Sequence, residues 1–517
     1  MSRDTHVIFG REYRKRYDAI IIGSGIGGLI CGGLLARSGM KVLLLEKHYV
    51  LGGFCSTFRR KGFLFDAATH FYPLLGNPDT LTGKVLTELE IPTEWVKMDP
   101  VDQFHLPGLP AFSVPAGFQE YILKLQQWFP EERANLDAYF AELRQAYMYG
   151  LLYYFKNIPN PQAQALEKFT MRQKVDQRFT NPSLKALLMA DAPHWGSAPE
   201  HTSYLFDAML RLSYFLGNYY PRGSSQKFAD DLGRAIEAHG GNVLKCAGVE
   251  KILVEAGKAK GVRIATQSKR APEYFEFDAP VIVSNGDALH TYRDLLGPEV
   301  CGHGIIRHIE QTKPSMPCYL MHIGVRGMDP QELARAEGYH WYSSDTSNLP
   351  AHVFKIFVPT HFDPSIAPPG CQILILQKIT PAPFDGSTDW PAHKQQVDNL
   401  LLGRLKTILP TLEQHTVVRL SASAMTSYRF TGNFEGAMLG WEMSPEQLGP
   451  KRLPIYTPVE NLYLTGHWTQ PGGGITPVII SAQRAARAIL TGKDNGRELA
   501  AQYFSFRGTG APVESVR

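Results

Sequence analysis

"RKRYDAIIIGSGIGGLICGGLLARSGMKVLLLEKHYVLGGF", from Arg14 to Phe54, admits two incompatible readings. One takes Arg14, Lys15 and Arg16 as a positive flank and the uncharged stretch Ala19 to Ala36 as a membrane span or the core of a signal peptide. The glycines argue against it. Gly23, Gly25, Gly27, Gly28, Gly32 and Gly33 would each weaken a helix by roughly 1 kcal/mol, and no small-residue cleavage site follows before Lys41. The other reading uses all of these features. Ala19 to Ile22 is a short buried strand, Gly23 to Gly28 is a GxGxxG turn, Leu29 to Ser38 is a helix, and Lys41 to Leu45 is a second strand ending at Glu46. Gly23 permits the tight turn, Gly25 lets a pyrophosphate approach the backbone, and Gly28 lets helix pack on strand. The phosphates would rest on the helix N-terminus, where free N–H groups and the helix dipole favour negative charge. Glu46 lies 18 residues beyond Gly28, where the motif places an acid for ribose hydroxyls.

At 517 residues the chain has room for two or three domains, because single cores stop growing near roughly 250 to 300 residues. A hydrophobic content of 44% with 20% charged residues fits a folded protein, and a net charge of +4 gives no case for nucleic-acid binding. Six cysteines are scattered without a CxxC pair or metal-ligand spacing, which points to a reducing compartment and to no metal site. The polar ends, Met1 to Tyr13 and Gly508 to Arg517, read as frayed.

Directly after Glu46 and Lys47 come Gly52-Gly53-Phe54-Cys55-Ser56 and then Phe65-Asp66-Ala67-Ala68-Thr69-His70. A second glycine pair so near the ribose acid suits a longer, flavin-bearing dinucleotide. This stretch resembles the N-terminal flavin motif of the large FAD-dependent group that holds amine oxidases, Rab GDP-dissociation inhibitors and carotenoid desaturases. In the middle of the chain, Phe228, Leu232 and Ile236 make an amphipathic helix ending at Gly240-Gly241, Val243-Leu244 begins a strand, and Val249, Ile252 and Val254 alternate inward. A turn at Ala256 to Lys260 precedes Val262 and Ile264. This part is similar to the return into the FAD domain of phytoene desaturases, which implies that backbone near Val249 holds adenine and that the strand Val281 to Asn285 belongs to the same domain. The closing run, Leu464-Thr465-Gly466-His467-Trp468 to Pro471-Gly472-Gly473-Gly474-Ile475, with a helix over Val478 to Leu490, resembles the C-terminal flavin motif of phytoene desaturases and carotenoid isomerases. His467 stands where many related flavoproteins carry an acid.

The resemblance implies an α/β protein: a Rossmann-type FAD-binding domain built from residues 14–75, 218–300 and 431–507, with an inserted mixed α+β substrate domain (301–430), a helical, membrane-contacting substrate segment (76–217) and a flexible tail (508–517). FAD contacts are expected at Gly23, Gly25, Gly27, Gly28, Glu46, Lys47, Gly52, Gly53, Phe54, Ser56, Val249, Asn285, Gly466, Gly473, Gly474 and Ile475. The implied activity is oxidation of a long apolar isoprenoid or polyene: hydride leaves an allylic carbon for the flavin, and quinone or oxygen takes the electrons. The same fold also serves carotenoid cis-trans isomerases and polyene saturases that use reduced flavin, and non-redox prenyl-lipid escorts. Glu435, His70 and His467 are the candidates for proton handling. Glu435 could instead pair with Arg429, His70 could be a core group, and His467 could only bind cofactor. Asp66 reads as structural, and Trp468 either stacks beside the ring or fills the core. The aromatic run Tyr147 to Phe155, preceded by the amphipathic Tyr121 to Phe129, reads either as an access helix at a lipid surface or as ordinary core. Monotopic attachment to a membrane from the cytoplasmic side is the expectation, since no stretch outside the glycine turn offers the roughly 20 apolar residues of a span.

Overall fold

A computed structural model describes residues 4–156, 158–267, 271–336, 338–492 and 496–506. The expected tail and the end of the last flavin segment, residues 507–517, lie outside them. The GxGxxG strand, Ala19–Ile22, is the middle of a five-stranded parallel sheet ordered Asn242–Leu244, Val42–Leu45, Ala19–Ile22, Ile282–Ser284, Leu462–Leu464. All four residues of Ala19–Ile22 and of Val42–Leu45 are buried, as continuous apolar runs covered on both faces require. Strands from three remote parts of the chain therefore share one sheet. Helices Ile26–Arg37, Ser225–Ala238 and Ile475–Thr491 pack with it in one hydrophobic core.

The second large sheet has seven strands in the order Phe112–Val114, Asp102–His105, Tyr339–Ser343, Val353–Phe357, Cys371–Ile379, Cys318–Arg326, Thr416–Ala422. It is mixed: only Tyr339–Ser343 beside Asp102–His105 runs parallel. Side chains alternate between its faces. Tyr319, Met321, Ile323 and Val325, with Phe354, Ile356, Leu374 and Leu376, pack on helix Trp390–Ile408. The opposite face, carrying Leu320, Val353, Phe357, Ile373 and Ile375, joins a core with the helices Phe118–Trp128, Arg133–Gly150, Pro182–Met189 and Tyr204–Phe215.

Three sequence expectations change. The polar N-terminus is not frayed where it is described: Thr5–Ile8 and Arg11–Arg14 form a hairpin that buries Ile8 and Tyr13. Val249 and Val254 are only partly buried while Ile252 is fully so, because register shifts in the Ala247–Glu255 strand interrupt the alternation. Tyr153 and Tyr154 are buried in a π-helical turn, Leu151–Phe155, so this part of the aromatic run is core. Among the described residues no helix is long and apolar enough to cross a membrane.

Candidate functional site

The GxGxxG turn is tied to the strands beside it: Gly23 N donates to the Leu45 carbonyl at 2.8 Å and Ser24 N to Glu46 Oε2 at 2.9 Å. Gly23 takes φ +90°, and Gly25 precedes helix Ile26–Arg37 with no side-chain cap. The second glycine pair lies directly against it: Gly52 N donates to the Ser24 carbonyl at 3.0 Å, and Gly25 and Gly52 form an isolated parallel bridge. A Cβ on Gly28 would run into the Gly23 carbonyl, which is the close helix-on-strand packing expected of the third motif glycine. Asn285 explains three further glycines. Its side-chain amide fills the space beside the turn, so that a Cβ on Gly25, Gly27 or Gly466 would stand 2.7, 2.5 or 2.8 Å from it. Two distant motifs thus close around one amide.

Glu46 sits at the end of its strand and is nearly buried. Its Oε2 accepts from Ser24 N at 2.9 Å and Ser24 Oγ at 2.5 Å, and its Oε1 accepts from His48 N at 2.7 Å. A carboxylate offers about four acceptor positions, so one remains for a ribose hydroxyl. Lys47 beside it is half-buried, and loss of hydration pulls its pKa down against the attraction of Glu46 and Asp287. The closing turn offers a second uncapped helix start, at Gly474 (φ +100°) before Ile475–Thr491. Gly473 packs against the Leu439 carbonyl with no room for a side chain.

These groups line one cavity of about 900 Å³, near the upper limit for small-molecule sites. Gly23, Gly25, Gly27, Glu46, Lys47, Gly52, Gly53, Phe54, Ser56, Val249, Asn285, Gly466, Gly473, Gly474 and Ile475 are all on its wall, together with His70 and His467. Gly28 lies behind the wall. Two uncapped helix starts, a carboxylate with acceptor capacity to spare and a backbone cradle closed to side chains suit a dinucleotide with an extended ring system.

Glu435 is not on that wall; its neighbours Asn433, Phe434 and Gly436 are. It occupies a left-handed conformation (φ +51°), and partial burial raises its pKa. Trp468 is buried and stands edge-on to Trp441 with ring centroids 4.5 Å apart, so it belongs to the core. Its indole N–H donates to Asn433 Oδ1 at 3.1 Å, and His467 Nε2 lies 3.3 Å from the same oxygen. An indole nitrogen only donates, so that oxygen is an acceptor, and His467 must donate from Nε2. Burial, with Arg452 adding to it, lowers the His467 pKa to about 3. The ring is therefore neutral and keeps Nδ1 as an acceptor. Asp66 is fully buried, accepting from Tyr220 Oη at 2.7 Å and Ser225 N at 2.9 Å, and burial pushes its pKa up to about 6. Its place is structural, as expected.

The remaining wall comes from the helical layer and the seven-stranded sheet: Trp195, Phe206, Leu210 and Tyr214 from one, Cys318, Leu320, His322 and Gln377 from the other. None of residues 147–155 reaches it. Sequence reading missed Asp287, which accepts from His290 N at 2.9 Å and Phe434 N at 2.8 Å and so ties the central flavin segment to the turn bearing Asn433. Its position just after the Ile282–Ser284 strand was a usable signal. No comparable signal marked His194, Trp195 or Lys355.

The comparisons agree with this geometry. The family model for flavin containing amine oxidoreductase matches residues 26–490. The all-trans-retinol 13,14-reductase of Rattus norvegicus is 28% identical over 508 residues, covering 87% of this chain and 82% of its own. The chloroplastic prolycopene isomerase of Daucus carota is 26% identical over 520 residues, covering 95% of this chain and 82% of its own. An oxidoreductase from Methanosarcina mazei shares the fold with a TM-score of 0.65 at 18% identity, covering 90% of this chain and 98% of its own. With its glycine turns and this match over most of its length, the chain belongs to the flavin containing amine oxidoreductase family and is an enzyme whose cofactor is FAD.

Proposed function

We propose that this enzyme works with reduced flavin on a double bond of a long apolar polyene, either adding hydrogen across it, as a saturase, with the flavin oxidised in exchange, or isomerising it with no net redox change. The observation that carries the proposal is the single cavity, in which the cofactor cradle continues into a chamber walled by Phe71, Trp195, Phe206, Leu210, Leu320 and Leu439. Such a wall offers an isoprenoid chain apolar contact and excludes water from the reacting carbons. Both readings are supported by the retinol reductase and prolycopene isomerase relatives. FAD, when bound, supplies hydride chemistry. The chain's own part would be positional. The helix starts at Gly25 and Gly474 would hold the diphosphate and ring, Glu46 the ribose, and backbone at Val249 the adenine. Neutral His467 would offer Nδ1 as an acceptor close to the closing flavin motif.

Oxidative desaturation with quinone or oxygen as acceptor is the same chemistry run backwards. Domain roles would follow the three sheet-sharing segments for FAD and residues 76–217 and 301–430 for substrate. Delivery from a membrane surface is part of the proposal, with Leu123, Met148, Ile158 and Leu216 exposed on the helical segment. The test is anaerobic: FAD-loaded protein, oxidised or chemically reduced, is mixed with all-trans-retinol or a cis-carotene in liposomes, and spectra and products are followed. Flavin reoxidation with a shortened chromophore is expected for a saturase, and a changed cis-trans pattern with the flavin still reduced for an isomerase. Bleaching of oxidised flavin with a lengthened chromophore would reverse the assigned direction. No reaction in either state would overturn the proposal.

A further inference from the structure

His70 is only 2% exposed and lines the cavity, yet neither ring nitrogen has a hydrogen-bond partner. Its ring stacks on Phe357 with centroids 4.6 Å apart. Burial, reinforced by Lys355 and His194 and opposed by the Ala68 backbone near its N–H, holds its pKa well below the usual histidine range, so it is a neutral imidazole whose acceptor nitrogen is idle. A buried polar atom without a partner is costly, and such atoms are rare in folded proteins.

Around it lies a polar group set into an apolar wall. Lys355 is fully buried on the face of its strand that carries Val353 and Phe357; its Nζ donates to Tyr339 Oη at 2.6 Å and lies 3.3 Å from His194 Nδ1. Tyr339 Oη is also 3.3 Å from that nitrogen. When Lys355 is protonated it can only donate, which makes Nδ1 the acceptor, so neutral His194 then carries its proton on Nε2. His194 lines the same cavity. Two imidazoles thus share a wall with Phe71, Trp195, Phe206 and Leu210, on which His322 and Gln377 are further polar groups.

We propose that His70 and His194, backed by Tyr339 and Lys355, form an anchor that hydrogen-bonds the oxygen at one end of the substrate, so that the enzyme prefers a polyene alcohol to a polyene hydrocarbon. The inference rests on the polyene reading above and adds its substrate class. A hydroxyl can donate to the idle nitrogen of His70 and accept from the proton on His194 Nε2. A hydrocarbon would leave both unpaired, and sites built to bond a hydroxyl reject analogues without one.

The test is equilibrium binding to the FAD-loaded protein of a C20 polyene alcohol and of the matching hydrocarbon, read by quenching of tryptophan fluorescence. Wild type is expected to favour the alcohol by at least about tenfold. His70→Phe, which keeps the stack on Phe357, should bind the hydrocarbon as well as wild type does and lose the preference; His70→Leu is the second variant, with flavin content reporting that each is folded. Equal binding of both probes by wild type, or a preference that survives both substitutions, overturns the anchor and leaves the polyene reading standing. If neither probe binds flavin-loaded wild type, the polyene reading falls and the anchor falls with it.

Discussion

The two sides of the cavity are built by different means. On the cofactor side, backbone does the shaping: Gly25, Gly52 and Gly473 lie where chain segments touch with no room for a side chain, and Asn285 fills the remaining gap. On the side proposed for substrate, side chains from distant segments do it, and charge is buried behind the apolar surface. Arg211 there is held by Asp207 at 2.9 Å, Asp191 at 3.1 Å and the Leu188 carbonyl at 2.9 Å. Burial works against its charge, but the two carboxylates outweigh it and raise its pKa. A backbone-built site tolerates few substitutions at a few positions, whereas a side-chain-built site spreads its requirements over many residues and can change specificity without losing the cofactor.

The sharpest way to break this contrast is Arg211→Ala, which leaves two buried carboxylates without their cation. It should cost about 3–5 kcal/mol in denaturant unfolding, while folded protein still takes up FAD; loss of FAD from folded variant would show that the two sides are not separable. Next comes Gly28→Ala, which drives a Cβ into the Gly23 carbonyl and should cost about 3 kcal/mol together with the flavin, measured by melting and flavin absorbance. Glu46→Gln keeps the shape but gives up the charge, and should weaken FAD binding by about 2 kcal/mol, roughly 30-fold by titration.

A change of pH tests the buried lysine. Burial lowers the Lys355 pKa from 10.5 to about 7. Between these values the unfolded chain holds more protons than the folded one, so folding gains stability as pH rises through that window, by up to ~1.4 kcal/mol per pH unit. The penalty for burying the charge is complete below about pH 7. Lys355→Met removes this term, so the stability of wild type relative to the variant should climb between pH 7 and 10; a flat difference would mean that Lys355 keeps its ordinary pKa. Smallest of all, Glu435→Gln should leave turnover within about twofold at unchanged FAD content, since Glu435 lies off the wall.

The same contrast explains what could be read from the chain alone. Strand, GxGxxG turn, helix, strand and acid are contiguous, and each residue's task is set by neighbours within a few positions, so the sheet around Ala19–Ile22 and the wall positions from Gly23 to Ser56 were legible. The closing glycine run was legible for the same reason. Lys355, His194 and His70 come together only because a strand, a 3-10 turn and a loop after Asp66 converge in space, and no spacing records that. His70 was identified as a residue of interest, but its idle nitrogen was not. Glu435 drew notice from its glycine-flanked turn, yet that left-handed bend directs its neighbours, not itself, to the cavity.

The order of strands in the parallel sheet has a consequence for the order of synthesis. Its central strand, Ala19–Ile22, is the first of the five to be made, but its neighbour Ile282–Ser284 is the fourth, and the edge strand Leu462–Leu464 with the Gly474 helix start is the last. Until that last segment emerges, the apolar faces of the first strands have no complete sheet to join. The cradle therefore cannot close before the last of these segments is made, and FAD has a finished seat only after translation has passed Ile475. Cofactor supply would then act late, as a selector between chains that complete their sheet and chains that are degraded.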